Sequence, residues 1–380
     1  MIKVRYDLAR ETSTTESINL VTSMKKDLFK EYIRQSQPGR REKAYAWHTA
    51  IGLQDVDGLQ PSEYLVRTAI RNIEGEISLE EANALLQAYY AERPAKNTND
   101  RTEEADKVSV RIAATLSEKA FSFTPNEYLA IHRKLFDGIY PNAGCMRDYN
   151  ITKKEWVLGG ETVIYGSASE LKDTLEYDLS EEKEFSYRGL SMDQIISHLA
   201  LFVSNLWQIH VFGEGNTRTT AVFLIKYLRT LGFDVTNDIF AENSWYFRNA
   251  LVRANYNDLR NGIHETTEFL ELFLRNLLLD EHHPLKNRTL HISNMLKEPQ
   301  KPYIDKQKPD IAQIFTAKTA GHISRMREAF SDGTIFGRAD MMKVTGLGPS
   351  RASELLQELT AHGIIETVSG YGKGKYRFRC

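Results

Sequence analysis

His210, Val211, Phe212, Gly213, Glu214, Gly215, Asn216, Thr217 and Arg218 place an imidazole, a carboxylate, two glycines, a carboxamide and a guanidinium in one short run. Together these groups can hold a nucleotide polyphosphate with a metal ion and take a proton from an attacking hydroxyl. A helix starting at Asn216 or Thr217 would offer first-turn N–H groups and its positive dipole end to phosphate oxygens. Gly213 and Gly215 let the backbone approach an anion with no Cβ in the way. Arg218, in the first turn, can fork onto two phosphate oxygens. Glu214 beside phosphates calls for a divalent cation between them, Mg²⁺ with Mn²⁺ as the alternative, held by one carboxylate, phosphates and water. His210 ends the preceding helix, and its near-neutral pKa suits it to accept a proton.

Two apolar helices must position this run. Residues 191–209 carry Met192, Ile195, Ile196, Leu199, Val203, Leu206 and Ile209 on one face, and residues 217–231 follow, stopping at Gly232. Upstream, the spacing of Val108, Ile112 and Leu116, then of Tyr128, Ile131 and Leu135, predicts two more helices. Two β-prone runs flank Gly159-Gly160, Trp156-Val157-Leu158 and Thr162-Val163-Ile164-Tyr165, and predict a tight hairpin. The first hundred residues read as polar helices, among them 63–73 after Ser62 and another from Ser78, where Glu81 completes a capping box. Residues 93–104 read as a linker. Helices are also expected over 244–254 and 265–279, a polar linker with at most one short helix over 281–310, and then a different unit. There, 338–345, a Gly346-Leu347-Gly348 turn and 349–362 give helix, turn, helix, and 364–368 with 375–378 give a hairpin, which is the winged-helix pattern.

The run from His210 to Arg218 resembles the signature of the Fic family, HxFx(D/E)GN(G/K)RxxR, and the resemblance extends over roughly residues 105–280. It implies a Fic-type helical core (105–280) with a β-hairpin flap; joined to the patterns read above, this gives a mainly α fold with an N-terminal helical region (1–104) that is a candidate for regulation, a linker (281–310) and a C-terminal winged helix-turn-helix (311–380). It also implies transfer of AMP from ATP to a hydroxyl of a protein target, the chain itself included, with release of pyrophosphate. His210 would be the general base, Phe212 a loop anchor and Glu214 the Mg²⁺ ligand. Gly213, Gly215, Asn216, Thr217 and Arg218 would hold the phosphates, and Tyr246 and Asn249 would border the nucleoside. The 156–165 hairpin would dock a target segment by strand pairing. Homodimers are common among such relatives.

Two positions depart from the signature. Thr217 stands where Gly or Lys is usual, and its side chain either crowds the phosphate cradle or caps the helix and meets a phosphate. Ala221 replaces the second arginine, which leaves open the transfer of another nucleotide or of phosphate. Glu74 is the one candidate for an inhibitory glutamate, with Ile70 where Ser or Thr belongs, and an ordinary helix-end residue is the slightly favoured reading.

Composition bounds the rest. The 380 residues predict two or three domains, and 41% hydrophobic with 26% charged residues is ordinary soluble usage. A net charge of -2 gives the whole chain no electrostatic case for nucleic acid or membrane. Two cysteines, no apolar leader and no membrane-length apolar run point to the cytoplasm. No GxxxxGK[ST] loop occurs, and the HETTE run at His264 lacks the second histidine of a zinc site. Residues 301–380 carry an excess of five basic side chains. Arg351, Lys373, Lys375, Arg377 and Arg379 lie on the expected recognition helix and wing, which could serve DNA or a protein partner. A nucleotide-sensing DNA-binding regulator is therefore the alternative from another class.

Overall fold

The computed structural model describes residues 29–30, 32–34, 37–92, 101–236, 238–295, 317–330, 334–362, 364–368 and 374–378. The fold is mainly α and divides into two compact units at residue 298. The first unit contains α1 (Pro38–Gly52), α2 (Glu63–Glu74), α3 (Leu79–Glu92), α4 (Thr102–Ser117), α5 (Pro125–Phe136), α6 (Leu171–Glu184), α7 (Met192–Ile209), α8 (Asn216–Thr230), α9 (Ile239–Ala254) and α10 (Glu268–Leu279). The short turns α11 (Asn287–Leu290) and α12 (Ile292–Met295) close it. No helix among the described residues is long and apolar enough to cross a membrane.

Local rules explain most helix limits. Ser62 and Ser191 accept from the third residue of α2 and α7, and Gln194 returns the bond to Ser191 as a capping box. Ser78 and Glu81 make the expected reciprocal pair before α3. The helix α8 is different: from Asn216 to Leu228 every residue is buried, so it is the central rod of the unit. Its polar side chains are accommodated individually. Thr220 pairs with the Tyr128 hydroxyl at 2.8 Å, and Lys226 donates to the carbonyls of Thr115 and Glu118 at the C-terminal end of α4. One hydrophobic core embraces α1 to α10, with Trp47, Ile112, Leu135, Trp207, Phe223 and Phe247 among its members.

Three expectations need correction. Residues 102–104 are not linker but the first turn of α4, because Glu104 is drawn into a buried ion cluster described below; residues 93–100 lie outside the described residues. The expected linker over 281–310 starts with two short helical turns rather than one at most, anchored by the buried Leu290. Residues 156–165 form no strand. The chain reverses at Gly159 and Gly160, both at positive φ, but Trp156–Leu158 is a 3₁₀ turn. Val157 and Leu158 are both fully buried, and consecutive residues of a strand would face opposite sides.

The second unit contains α13 (Ala317–Ala329), β1 (Phe336–Gly337), α14 (Arg338–Thr345), α15 (Pro349–Ala361), β2 (Ile365–Thr367) and β3 (Lys375–Phe378). Its antiparallel sheet has the order β1-β3-β2, with Phe336 opposite Tyr376 and Ile365 opposite Phe378. Ile323, Met326, Phe336, Leu355, Leu359 and Phe378 form its separate core. Gly346 ends α14 in the left-handed conformation that sets the turn between the two helices.

Candidate active site

The loop from His210 to Gly215 joins the C-terminal end of α7 to the N-terminal end of α8. It is pinned from inside. Asn216 accepts from the Phe212 N–H at 3.0 Å through Oδ1 and donates to the Phe212 carbonyl at 2.7 Å through Nδ2, closing the loop on itself. Phe212 is buried, its ring stacked on His132 at 3.7 Å. The Gly144 N–H donates to His132 Nδ1, so the proton sits on Nε2, which donates to the Glu214 carbonyl at 3.0 Å. Burial holds the His132 pKa down to about 4. The unfolded chain therefore takes up a proton near pH 6.5 that the native state refuses down to about 4, so stability falls as pH drops through that window. The expected loss is up to about 3 kcal/mol by urea unfolding at stepped pH, and His132→Gln should flatten the slope.

Gly215 has φ +76°, and a Cβ there would lie 2.5 Å from the Phe136 ring. Gly215→Ala should lose at least about 2 kcal/mol of stability, from left-handed strain plus the clash; a midpoint unchanged in thermal unfolding would refute this.

His210 itself is in the left-handed region, with φ 51°, and 4% exposed. Its ring lies 4.2 Å from the Tyr165 ring and edge-on to Trp207. Neither ring nitrogen has a hydrogen-bond partner among the described residues. Burial, then the charges of Lys153, Arg147 and Arg248, holds its pKa well below the ordinary histidine value, so the imidazole is neutral at pH 7. Both nitrogens are thus uncommitted, one a free lone pair.

The backbone that presents this ring is held by Arg147, which the sequence reading missed. Its Nε donates to the His210 carbonyl at 2.7 Å, while its other nitrogens donate to the carbonyls of Tyr149, Gly166 and Ile209. One buried guanidinium therefore ties two chain segments, at Tyr149 and at Gly166, to the end of α7.

At the start of α8 no side chain caps the first turn. The Thr217 hydroxyl is already engaged, accepting from Trp207 Nε1 at 3.0 Å, so it neither crowds the loop nor projects toward a ligand. Glu214 projects outward, 58% exposed, with Lys153 Nζ 3.1 Å from its carboxylate. An exposed single carboxylate beside uncapped N–H groups fits a cation carried in by phosphates, which needs one protein ligand only.

Arg218 departs from expectation. It is fully buried, with Asp57 at 2.8 Å, Glu104 at 2.7 Å, the Gln54 amide oxygen, the Tyr140 hydroxyl, and the Phe136 ring 4.8 Å from its Cζ. Burial would raise the Glu104 carboxyl, but hydrogen bonds from Arg101 and the charge of Arg218 hold it below its ordinary value. The guanidinium is taken by carboxylates from the N-terminal segment and α4, and in this arrangement it is not offered to phosphate.

Glu74 is placed elsewhere, at the end of α2, paired with Arg40 at 2.9 Å; the carboxylates that meet the loop helix are Asp57 and Glu104. Tyr246 and Asn249 are buried, and Asn249 donates to Asn287 while its Oδ1 has no partner. A cavity of about 530 Å³ instead meets α9 at Trp245 and Arg248, and is completed by Asp57, Arg101, Lys154 and Trp156. Of the residues expected to dock a target, Val157, Leu158, Val163 and Tyr165 are buried, Thr162 is half-buried, and Trp156 and Ile164 stand out at 49% and 84% exposed. In the second unit, Arg351 pairs with Glu354 and Glu358, Arg377 with Glu366, and Lys375 lies 3.8 Å from Asp340. Lys373 and Arg379 lie outside the described residues.

Residues 122–228 match the Fic/DOC family and form a Fic/DOC family domain. The protein adenylyltransferase VbhT of Bartonella schoenbuchensis (strain DSM 13525 / NCTC 13165 / R1) is 29% identical over 108 residues, 28% of this chain. The chain thus spans 21% of that relative's length. A Fic family protein from Desulfovibrio desulfuricans G20, known as a crystal structure, superposes over 97% of both chains with a TM-score of 0.40 and 15% identity.

Proposed function

We propose that the Fic/DOC domain transfers AMP from ATP to a hydroxyl side chain of a protein, releasing pyrophosphate. The observation that carries this reading is His210. It is a neutral imidazole with both nitrogens uncommitted, held at the mouth of a loop whose far end is an uncapped helix start. The phosphates would lie on the N–H groups of Asn216, Thr217 and Arg218, with the backbone of Gly213 and Gly215 close by. Glu214 would hold Mg²⁺, or Mn²⁺, which would offset charge on the phosphates. The nucleoside would occupy the cavity lined by Trp156 and Trp245, whose aromatic walls suit a base, with Lys154, Arg101 and Arg248 there to meet anionic oxygens.

The residues then act in sequence. The segment carrying Tyr165 covers the imidazole and must yield for a target hydroxyl to reach it. His210 accepts the hydroxyl proton as the oxygen attacks the α-phosphorus, and the N–H groups at the start of α8 stabilise charge gathering on the phosphate oxygens. Ile164 and Trp156, exposed on the 156–165 segment that also carries Tyr165, offer apolar contact to an incoming target segment. We read the second unit as a winged helix. Its central helix α15 spends Arg351 on two glutamates, which leaves that helix little charge for a phosphate backbone and favours a protein partner over DNA.

Pyrophosphate release from ATP, CTP, GTP and UTP, each with Mg²⁺ and a cell lysate as target source, tests the nucleotide. Release from ATP above the other three is the expected result; a preference for another triphosphate would replace AMP as the transferred group.

A further inference from the structure

We propose that the Tyr149 hydroxyl is an acceptor of the transferred nucleotidyl group within the same chain. The inference rests on the transferase reading above and names one hydroxyl that the site itself presents.

Tyr149 is 52% exposed, unusual for a large aromatic side chain, and its hydroxyl has no hydrogen-bond partner among the described residues. The side chain does not point idly into solvent. A Cβ added to Gly213 would lie 2.6 Å from the Tyr149 oxygen, so the phenol rests on the loop at the one place where the absence of a side chain admits it. Gly213 lies between His210 and Glu214, the proton acceptor and the proposed cation ligand. The backbone of Tyr149 is fixed to the same frame: Arg147 donates to the Tyr149 carbonyl at 2.6 Å and to the His210 carbonyl at 2.7 Å. Two oxygens bound to one guanidinium lie within about 8 Å of each other. A free phenol on a short tether thus shares an anchor with the base and touches the phosphate-side loop. A local tethered nucleophile of this kind gains over a dissolved one through proximity alone.

The step balances without a further reactant. The Tyr149 oxygen forms a bond to the α-phosphorus of ATP, the bond from that phosphorus to the bridging oxygen of pyrophosphate breaks, and the phenolic proton passes to His210. The products are Tyr149 O-linked AMP and pyrophosphate.

The test uses the full chain with ATP and Mg²⁺, followed by peptide mapping by mass spectrometry. An inactive His210→Asn chain, mass-labelled with heavy isotopes, is present in the same tube. The expected result is an AMP increment on Tyr149 of the active chain only, at a fractional rate independent of chain concentration, and lost in Tyr149→Phe. AMP found on other residues with Tyr149 unmodified would overturn the proposal and leave the transferase reading standing. Equal labelling of the inactive chain would overturn the same-chain geometry. ATP turnover or lysate labelling with no self-modification would likewise overturn the proposal alone, whereas no turnover of any kind removes the transferase reading with it. Wild-type mapping decides the matter even where Tyr149→Phe folds poorly.

Discussion

Replacing His210 by alanine or asparagine is expected to lower nucleotidyl transfer by about a hundred- to ten-thousand-fold, the usual worth of a positioned general base. The pair of substitutions separates chemistry from backbone. His210 occupies the left-handed region at φ 51°, where alanine is strained and asparagine is tolerated, so His210→Asn retains the turn that ends α7. Equal loss in both variants, with the Asn variant near wild type in thermal unfolding, assigns the loss to the missing proton acceptor. Arg147 holds the carbonyl and not the ring, so the loop remains anchored in either case. The pH dependence gives an independent readout. Burial and three nearby cations hold the imidazole pKa well down, so the acid limb of kcat/KM should lie below the ordinary histidine range. An acid limb at the unperturbed histidine position, or an Asn variant as active as wild type, would contradict the assignment.

Arg218→Met should cost the folded state about 3–5 kcal/mol, the scale for removing one partner from a buried ion cluster. The guanidinium is fully buried, with Asp57 and Glu104 within 2.8 Å. Its loss leaves Glu104 with Arg101 and the Tyr140 hydroxyl but without this second cation, and leaves Asp57 without this partner. Removing those charges as well, in Arg218→Met with Glu104→Gln and Asp57→Asn, should restore part of the stability, because the penalty comes from orphaned carboxylates and not from the missing arginine as such. Urea unfolding measures both. A motif arginine whose work is phosphate binding alone would behave otherwise: Arg218→Met would unfold at the wild-type midpoint and lose only activity. The structure makes Arg218 the fastener between the N-terminal segment, α4 and the motif helix, which ties the integrity of the loop to packing of the first hundred residues.

Much of the scaffold was legible because its signals are local. Ser62, Ser78 and Ser191 announce α2, α3 and α7 through caps that act over three residues, and the glycines at 213 and 215 announce a tight loop. The long-range partners were not legible. Arg147 acts on carbonyls of Tyr149, Gly166, Ile209 and His210, and a carbonyl has no sequence signature. Arg218 finds Gln54 and Glu104 164 and 114 positions away, so nothing near the motif foretold that its guanidinium would be spent inside the fold. His132 lies 82 positions from Glu214, and no local signal ties it to the loop whose Glu214 carbonyl its Nε2–H holds. The expected hairpin failed for a physical reason that pattern alone conceals. The hairpin rested on β-prone residue types around two glycines, while the core captured the neighbours Val157 and Leu158 together, and a 3₁₀ turn can bury both where a strand cannot. α6 had its own signal in Leu171, Leu175 and Leu179, one face at i, i+4 and i+8, submerged among acidic neighbours.

The most direct measurement is label transfer from ATP carrying one isotope at the α-phosphate and another at the γ-phosphate, with Mg²⁺ and a lysate, scored on protein from wild type and His210→Asn. Protein-bound α-label without γ-label is expected in wild type, and neither label in the variant. Protein-bound γ-label would make the reaction phosphoryl transfer, and α-label undiminished in the variant would remove His210 from the centre of the chemistry.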